Sequence, residues 1–142
     1  MFLSPGVEAI SLPDPTQNYD NVEAVATGWG YLSTKGPSPD ILQKVTLRTL
    51  SNEQCQNSLR DIRNNQKIKE QLIKDHMICT FELPKGFCQG DSGGPLVVRN
   101  QNGKSTLIGI VSFNLFGCAT GNPDVYTRVS LFNEWIEKNK CP

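Results

Sequence analysis

A single histidine, His76, stands in a chain of 142 residues. Imidazole is the usual general base near neutral pH and the commonest metal ligand, so a multi-histidine metal centre is excluded and a general base has one candidate. That candidate sits three residues before Cys79, in a polar stretch that reads as a loop with no catalytic role. Neither sign of charge is in excess, 14 Lys and Arg standing against 14 Asp and Glu. Such a balance gives no electrostatic case for nucleic acid or an anionic membrane surface. No apolar run approaches a membrane span. The opening Met1-Phe2-Leu3-Ser4-Pro5-Gly6 lacks the basic region and apolar stretch of an export signal.

What is present reads as one β-rich domain, since 142 residues suffice for a single core. Residues 22–26, 44–48, 96–99, 107–111 and 125–129 are short runs rich in β-branched side chains, separated by Gly, Pro and Asn. Asn100-Gln101-Asn102-Gly103 predicts a hairpin turn between the third and fourth. The pattern argues for an antiparallel barrel. Two helices interrupt it. Ser51-Asn52-Glu53-Gln54 fits a capping box for a helix running through Leu59, and Ser130 precedes an apolar stripe of Leu131, Phe132, Trp135 and Ile136 at helical spacing. Residues 60–76, rich in Lys, Asn, Gln and Arg, predict an enlarged exposed loop, a solvated face in preference to a basic exosite.

The segment Cys88-Gln89-Gly90-Asp91-Ser92-Gly93-Gly94-Pro95 places a serine among small residues, where a turn can present its hydroxyl. A serine needs a nearby base and donors for the oxyanion it creates. The amides of Gly90 and Ser92 are candidate donors, with no Gly90 side chain to block approach. Read as composition alone, the segment is an ordinary Gly-rich turn. Five cysteines point to an oxidising compartment, and any four of them allow three pairings.

The eight-residue string resembles the nucleophile loop of trypsin-like and chymotrypsin-like serine endopeptidases, and other landmarks follow that family's order. Thr27-Gly28-Trp29-Gly30 resembles the opening of its second barrel, Pro39-Asp40-Ile41-Leu42-Gln43 the strand entry after it, and Ile110-Val111-Ser112-Phe113 its pocket-wall strand. Pro123-Asp124-Val125-Tyr126-Thr127-Arg128-Val129 resembles the closing strand and residues 132–139 the terminal helix. The resemblance implies an all-β fold, the C-terminal Greek-key barrel of a chymotrypsin-like double barrel, with a short intermediate helix and a C-terminal helix. Residues 1–20 would be the inter-barrel crossover and 21–142 the second barrel. Family pairing would join Cys55 to Cys79 and Cys88 to Cys118, leaving Cys141 over; a third common bridge is missing at both ends, where Ala24 and Val98 stand.

By the same resemblance, Ser92 is the nucleophile of an acyl-enzyme mechanism and Gly90 and Ser92 form the oxyanion hole. The base histidine and its aspartate belong to a first barrel not represented here, so the chain alone is expected to be an inactive, truncated half. Asp91 would pair with an α-amino group freed on zymogen cleavage; without that cation, the loop 90–92 is expected to be collapsed or disordered. Gly86, Phe87, Gln89, Ser112, Phe113, Asn114 and Asp124 would line the substrate pocket. Gly86 stands where trypsin-like enzymes put an aspartate, and Asp124 where glycine is usual, a combination resembling arthropod chymotrypsins and the crab-collagenase type. Phe87 and Asn114 would make the mouth narrower or more polar. Asp124 has a competing reading as a solvent-facing turn residue after Pro123. The resemblance further implies a secreted protein with protein or peptide substrates, the first barrel and protein inhibitors as partners, no nucleic acid or membrane, and neither cofactor nor metal. The rival reading is a non-catalytic homologue that binds or regulates through the same fold.

Overall fold

In the computed structural model, which describes residues 5–63, 72–115 and 117–140, six strands close into an antiparallel barrel. They are β1 (Glu23–Gly28), β2 (Gln43–Leu50), β3 (Met77–Phe81), β4 (Pro95–Arg99), β5 (Ser105–Asn114) and β6 (Asp124–Arg128), in the spatial order β1-β2-β3-β6-β5-β4. Every pairing is antiparallel, so odd and even strands run in opposite directions. The three odd-to-even connections, residues 29–42, 82–94 and 115–123, therefore gather at one rim. Those connections carry Trp29-Gly30, Ser92 and Cys118. The 82–94 connection crosses from β3 to β4, a strand beside β1, and this crossing makes the order a Greek key.

Period-2 alternation feeds two cores. Inside the barrel, Ala24, Ala26, Leu47, Ile78, Leu96, Ile108, Val111 and Tyr126 pack with Phe87. Val125 and Cys79, neighbours in sequence of Tyr126 and Ile78, point the other way and pack with Cys55, Leu59 and Ile73 under α1 (Asn52–Arg63). This explains why β6 is buried almost throughout and has no solvent-facing side. The β1–β4 register pairs Val25 with Val97 and Ala26 with Leu96, so one step on it sets Ala24 opposite Val98. Val98 packs against the cluster that contains Ala24, and apolar contact occupies the place of the absent third bridge.

The local signals are realised as hydrogen bonds. The Ser51 amide donates to Gln54 Oε1 at 2.8 Å and the Gln54 amide to Ser51 Oγ at 3.1 Å, a reciprocal capping box. The helix it starts continues past Leu59 to Arg63. At the β4–β5 hairpin the amides of Asn102 and Lys104 donate to Asn100 Oδ1, and Gly103 takes a left-handed φ of 75°. Ser130 caps nothing. It lies buried within a 3₁₀ turn, Val129–Phe132, and α2 (Asn133–Asn139) begins after Phe132 with no side-chain cap. The loop expected over 60–76 is divided: α1 takes 60–63, 64–71 lie outside the described residues, and 72–76 lead into β3. Cys141 also lies outside them.

Cys55 joins Cys79 and Cys88 joins Cys118, closing loops of 24 and 30 residues in sequence separation. Loop-closure entropy assigns each about 3.5 kcal/mol. We expect Cys55→Ala/Cys79→Ala to lose about that much in urea unfolding with the midpoint shifted and the barrel retained; a loss under 1 kcal/mol would contradict the entropic account.

The stretch before β1 is tied to the barrel from three directions. Ser11 forms a parallel bridge with Thr106 at the head of β5, and the Leu107 amide donates to the Ser11 carbonyl at 3.0 Å. Buried Thr49 donates its hydroxyl to Tyr19 O at 2.7 Å and accepts from the Val22 amide at 2.9 Å. Arg128, 8% exposed, spends its guanidinium on the carbonyls of Asn18, Asp75 and Met77 and on Asn52 Oδ1. Burial lowers its pKa from the ordinary arginine value, and the nearby Asp20 charge opposes that shift.

Candidate active site

Ser92 is exposed at the rim, on the loop between the Cys88–Cys118 bridge and β4. Two short ladders brace the loop behind it: the Gly93 amide donates to Val111 O at 3.0 Å, and the Val111 amide returns to Gly94 O at 2.9 Å. The Asp91 amide donates to Cys88 O at 3.1 Å and the Gly94 amide to Asp91 O at 2.8 Å, so the chain folds over twice in seven residues. Gly90 sits at φ 98°, a conformation few other residues adopt. Among the described residues, the amides of Gly90 and Ser92 donate to nothing, leaving two unspent donors on either side of Asp91. They are the required raw material of an oxyanion hole.

The loop is neither collapsed nor disordered, and Asp91 explains the difference from expectation. Its Oδ1 accepts from the Gly30 amide at 2.7 Å and its Oδ2 from the Cys88 amide at 2.9 Å. Two main-chain dipoles thus take up a carboxylate expected to be without its cation. The Tyr31 amide, donating to Gln89 O at 2.8 Å, adds a further tie between the 29–42 connection and this loop. Gly28 and Gly30 were legible only as part of a Gly-Trp-Gly string. Both glycines make room for the carboxylate, since a Cβ on Gly28 would lie 2.0 Å from Asp91 Oδ1 and one on Gly30 2.4 Å from Asp91 Cγ. Paired glycines flanking a tryptophan, with an acidic residue far along the chain, were the signal. Beside the carboxylate opens a cavity of about 200 Å³, lined by Ala26, Gly28, Gly30, Val45, Phe87 and Val111 among others.

Of the proposed pocket residues, Gly86, Phe87, Asn114 and Asp124 are brought together from the 82–94 connection, β5 and β6, while Gln89, Ser112 and Phe113 lie on the same elements without a hydrogen bond to that group among the described residues. The β5–β6 register shifts between Val111 and Phe113, so Ser112 is a bulge residue, exposed beside the likewise exposed Phe113. Asn114 pairs with Asp124 across that register and donates its Nδ2 to Phe87 O at 3.3 Å. Gln89 is exposed. Asp124 is the first residue of β6 and only 5% exposed, which removes the reading of a solvent-facing turn residue. Its Oδ2 accepts from the Phe87 amide at 3.0 Å, and a Cβ on Gly86 would lie 2.4 Å from that oxygen. Glycine at 86 and aspartate at 124 are one arrangement, in which the carboxylate occupies the room the glycine leaves. Burial pushes the Asp124 carboxyl up to about 7; the Phe87 amide opposes the shift and the Asp91 charge adds to it.

Phe87 departs from expectation. Its ring does not stand at the mouth but turns into the barrel core, edge-on to Tyr126 with centroids 5.2 Å apart. Only its peptide groups reach Asp124 and Asn114. A six-carbon ring gains more from burial against Tyr126 than from a solvent-facing position. His76 is exposed in the turn before β3, its carbonyl accepting from the Arg128 amide at 2.8 Å. Among the described residues, no group of three or more His, Cys, Asp or Glu side chains is placed to hold a metal, and no helix is long and apolar enough to cross a membrane.

The barrel agrees with the family that comparison finds. Residues 2–136 match the family model described as Trypsin. The chain is 40% identical over 135 residues to "Chymotrypsin-2" of Vespa crabro, covering 94% of this chain and 54% of that protein. It is 44% identical over 118 residues to "Trypsin-1" of Astacus astacus, covering 81% and 45%, and 38% identical over 136 residues to "Serine proteinase stubble" of Drosophila melanogaster, covering 94% and 16%. It spans about half the length of that chymotrypsin. A six-stranded antiparallel barrel with these bridges, matched from residue 2 to residue 136, places the chain in the trypsin family of serine proteases.

Proposed function

We propose that this chain is the nucleophile-bearing part of a secreted serine endopeptidase that cleaves proteins or peptides through an acyl-enzyme. The observation that carries the reading is the exposed Ser92 between two amides with no other acceptor, on a loop braced against β5. In the longer protein, a preceding segment supplies the histidine that takes the Ser92 proton and the aspartate that orients it. Ser92 then attacks the scissile carbonyl, and the Gly90 and Ser92 amides receive the oxyanion. Collapse of the adduct releases the amine and leaves an ester on Ser92, which water hydrolyses. No metal or cofactor takes part.

Asp91 fits the role of an activation ion pair. Its carboxylate borders a cavity of about 200 Å³ with apolar walls at Ala26, Val45 and Val111, suited to an α-amino group carried on an aliphatic residue. Gly86, Phe87, Gln89, Ser112, Phe113, Asn114 and Asp124 form the specificity pocket. Its floor carries a buried carboxyl, in keeping with acceptance of large apolar residues and tolerance of basic ones. Two disulfides fit an extracellular setting, where protein inhibitors are the expected partners.

The test is labelling of the longer protein by a serine-directed phosphonate, with the adduct mapped by mass spectrometry. Modification at Ser92, abolished by prior denaturation, is the expected result. An unreactive Ser92 in folded, proteolytically processed protein would favour the rival reading, a non-catalytic homologue that binds through the same fold.

A further inference from the structure

The floor of the proposed pocket holds a carboxyl group that no cation among the described residues meets. Asp124 lies between Thr80 of β3 and Asn114 of β5, and among the described residues its side chain takes one hydrogen bond, from the Phe87 amide. The other oxygen, Oδ1, accepts no hydrogen bond among the described residues and is not sealed from solvent. Neither β3 nor β5 brings a titratable side chain, Cys79 being disulfide-bonded, and the described part of the 115–123 connection brings none beyond the bonded Cys118. The ionisable groups that act on Asp124 are Asp91, a like charge, and Tyr126, itself buried and pushed further toward its neutral form. An ionised Asp124 is thus a buried charge with one dipole to answer it and a second carboxylate nearby.

We propose, resting on the pocket reading above, that the proton on Asp124 selects what the pocket accepts: protonated, it is a neutral floor for apolar side chains, and ionised, it pairs with the guanidinium or ammonium of a basic one. The geometry gives the reason. Ionisation is costly here unless a cation enters, because among the described residues no cation pairs with Asp124 and Oδ2 already spends itself on a main-chain amide. A basic side chain in the pocket supplies the missing charge and releases the proton through Oδ1 to solvent. Burial and Asp91 set the exchange near neutrality, with the free carboxyl at about 7. An aspartate fixed in the ionised form would favour basic residues at every pH, and a glycine would favour apolar ones. This arrangement alternates between them.

Linkage makes the expectation quantitative. Below its midpoint, a cation that requires the ionised carboxylate must displace a proton, so its affinity rises tenfold per pH unit and levels off above the midpoint. Benzamidine, cationic throughout, and uncharged indole are titrated into the 142-residue chain by calorimetry between pH 5 and 9. Benzamidine is expected to gain about tenfold in affinity per unit up to a plateau near the Asp124 midpoint, with about one proton released per molecule bound well below it. Indole is expected to weaken above that midpoint. Asp124→Asn is expected to flatten both profiles. A benzamidine affinity that is flat from pH 5 to 9, a pH dependence that survives in Asp124→Asn, or no benzamidine binding at any pH overturns the proposal.

If Asp124→Asn fails to fold, the unmodified chain decides by ¹³C NMR titration of the Asp124 carboxyl. A midpoint near 7 supports the proposal, and one in the ordinary carboxylate range below 5 overturns it. None of these readouts needs hydrolysis. Proton-linked benzamidine binding with an unreactive Ser92 in the longer protein would overturn the protease reading and leave the selector standing; the reverse pair of results would do the opposite.

Discussion

Ser92→Ala in the longer, processed protein is expected to lower kcat for a peptide amide by about a millionfold, the scale measured for loss of a serine nucleophile in a convergent enzyme. The structure predicts that the loss will be confined to chemistry. Ser92 is exposed and its hydroxyl makes no hydrogen bond among the described residues, so its removal leaves no polar group stranded. The loop is held by the Cys88–Cys118 bridge, the Gly93–Val111 and Val111–Gly94 hydrogen bonds and the Asp91 carboxylate, none of which uses the Ser92 side chain. Melting temperature and benzamidine affinity should stay at wild-type values. The oxyanion donors are main-chain groups and survive, leaving a residual rate roughly a thousandfold or more above the uncatalysed one. Steady-state kinetics with a chromogenic peptide amide, run beside thermal unfolding, checks both halves. A fall of less than tenfold would mean that Ser92 is not the nucleophile.

Much of this site was written where chemistry and covalent structure are local. The string from Cys88 to Pro95 carries its turn residues, its nucleophile and one bridge half within eight positions, and the capping box at Ser51 and Gln54 spans four. The strands with β-branched runs were equally plain. The strand β3 was not: Met-Ile-Cys-Thr-Phe follows a polar stretch, and its five residues split between two cores, Ile78 to one and Cys79 to the other. Such a strand has no polar face to mark its period.

Three of the misreadings share a cause: each concerned what a side chain meets across the fold, a relation carried by no window of sequence. Asp91 was expected to be stranded because its cation is elsewhere, yet amides 3 and 61 positions away receive it. Phe87 was expected at the pocket mouth because its neighbours belong there, yet Tyr126 draws its ring into the core. Asp124 follows a proline in a turn-like context and is nevertheless buried, because β6 starts at that residue and runs between β3 and β5. In each instance, closing the barrel brought up a partner that decided the matter.

The coupling of Gly86 to Asp124 yields the other large effect. Gly86→Asp places a Cβ 2.4 Å from Asp124 Oδ2 and a second carboxyl beside a buried one. Overpacking of this kind costs about 1–3 kcal/mol. Two carboxylates about 4 Å apart repel by a further 4 kcal/mol or so at an effective dielectric near 20, unless they share a proton. At pH 8 the single variant should therefore lose about 5–7 kcal/mol, roughly 15–20 °C in melting temperature for a domain of this size. Adding Asp124→Gly removes the clash and leaves one carboxylate, now at the base. The double variant should recover most of the loss, with a coupling of about 3 kcal/mol between the sites. Acid should also help the single variant. Asp124 already titrates in the folded chain at about 7 against an ordinary 3.8. Its raised value means that its contribution is fully present below the unfolded pKa and is lost as pH rises through 7, on the order of 4 kcal/mol in all. Gly86→Asp should steepen that decline. Thermal unfolding of the wild type, both singles and the double at pH 5 and 8 gives the full cycle. Additive single effects would show that residues 86 and 124 do not share one space, and the arrangement described for the pocket floor would be wrong.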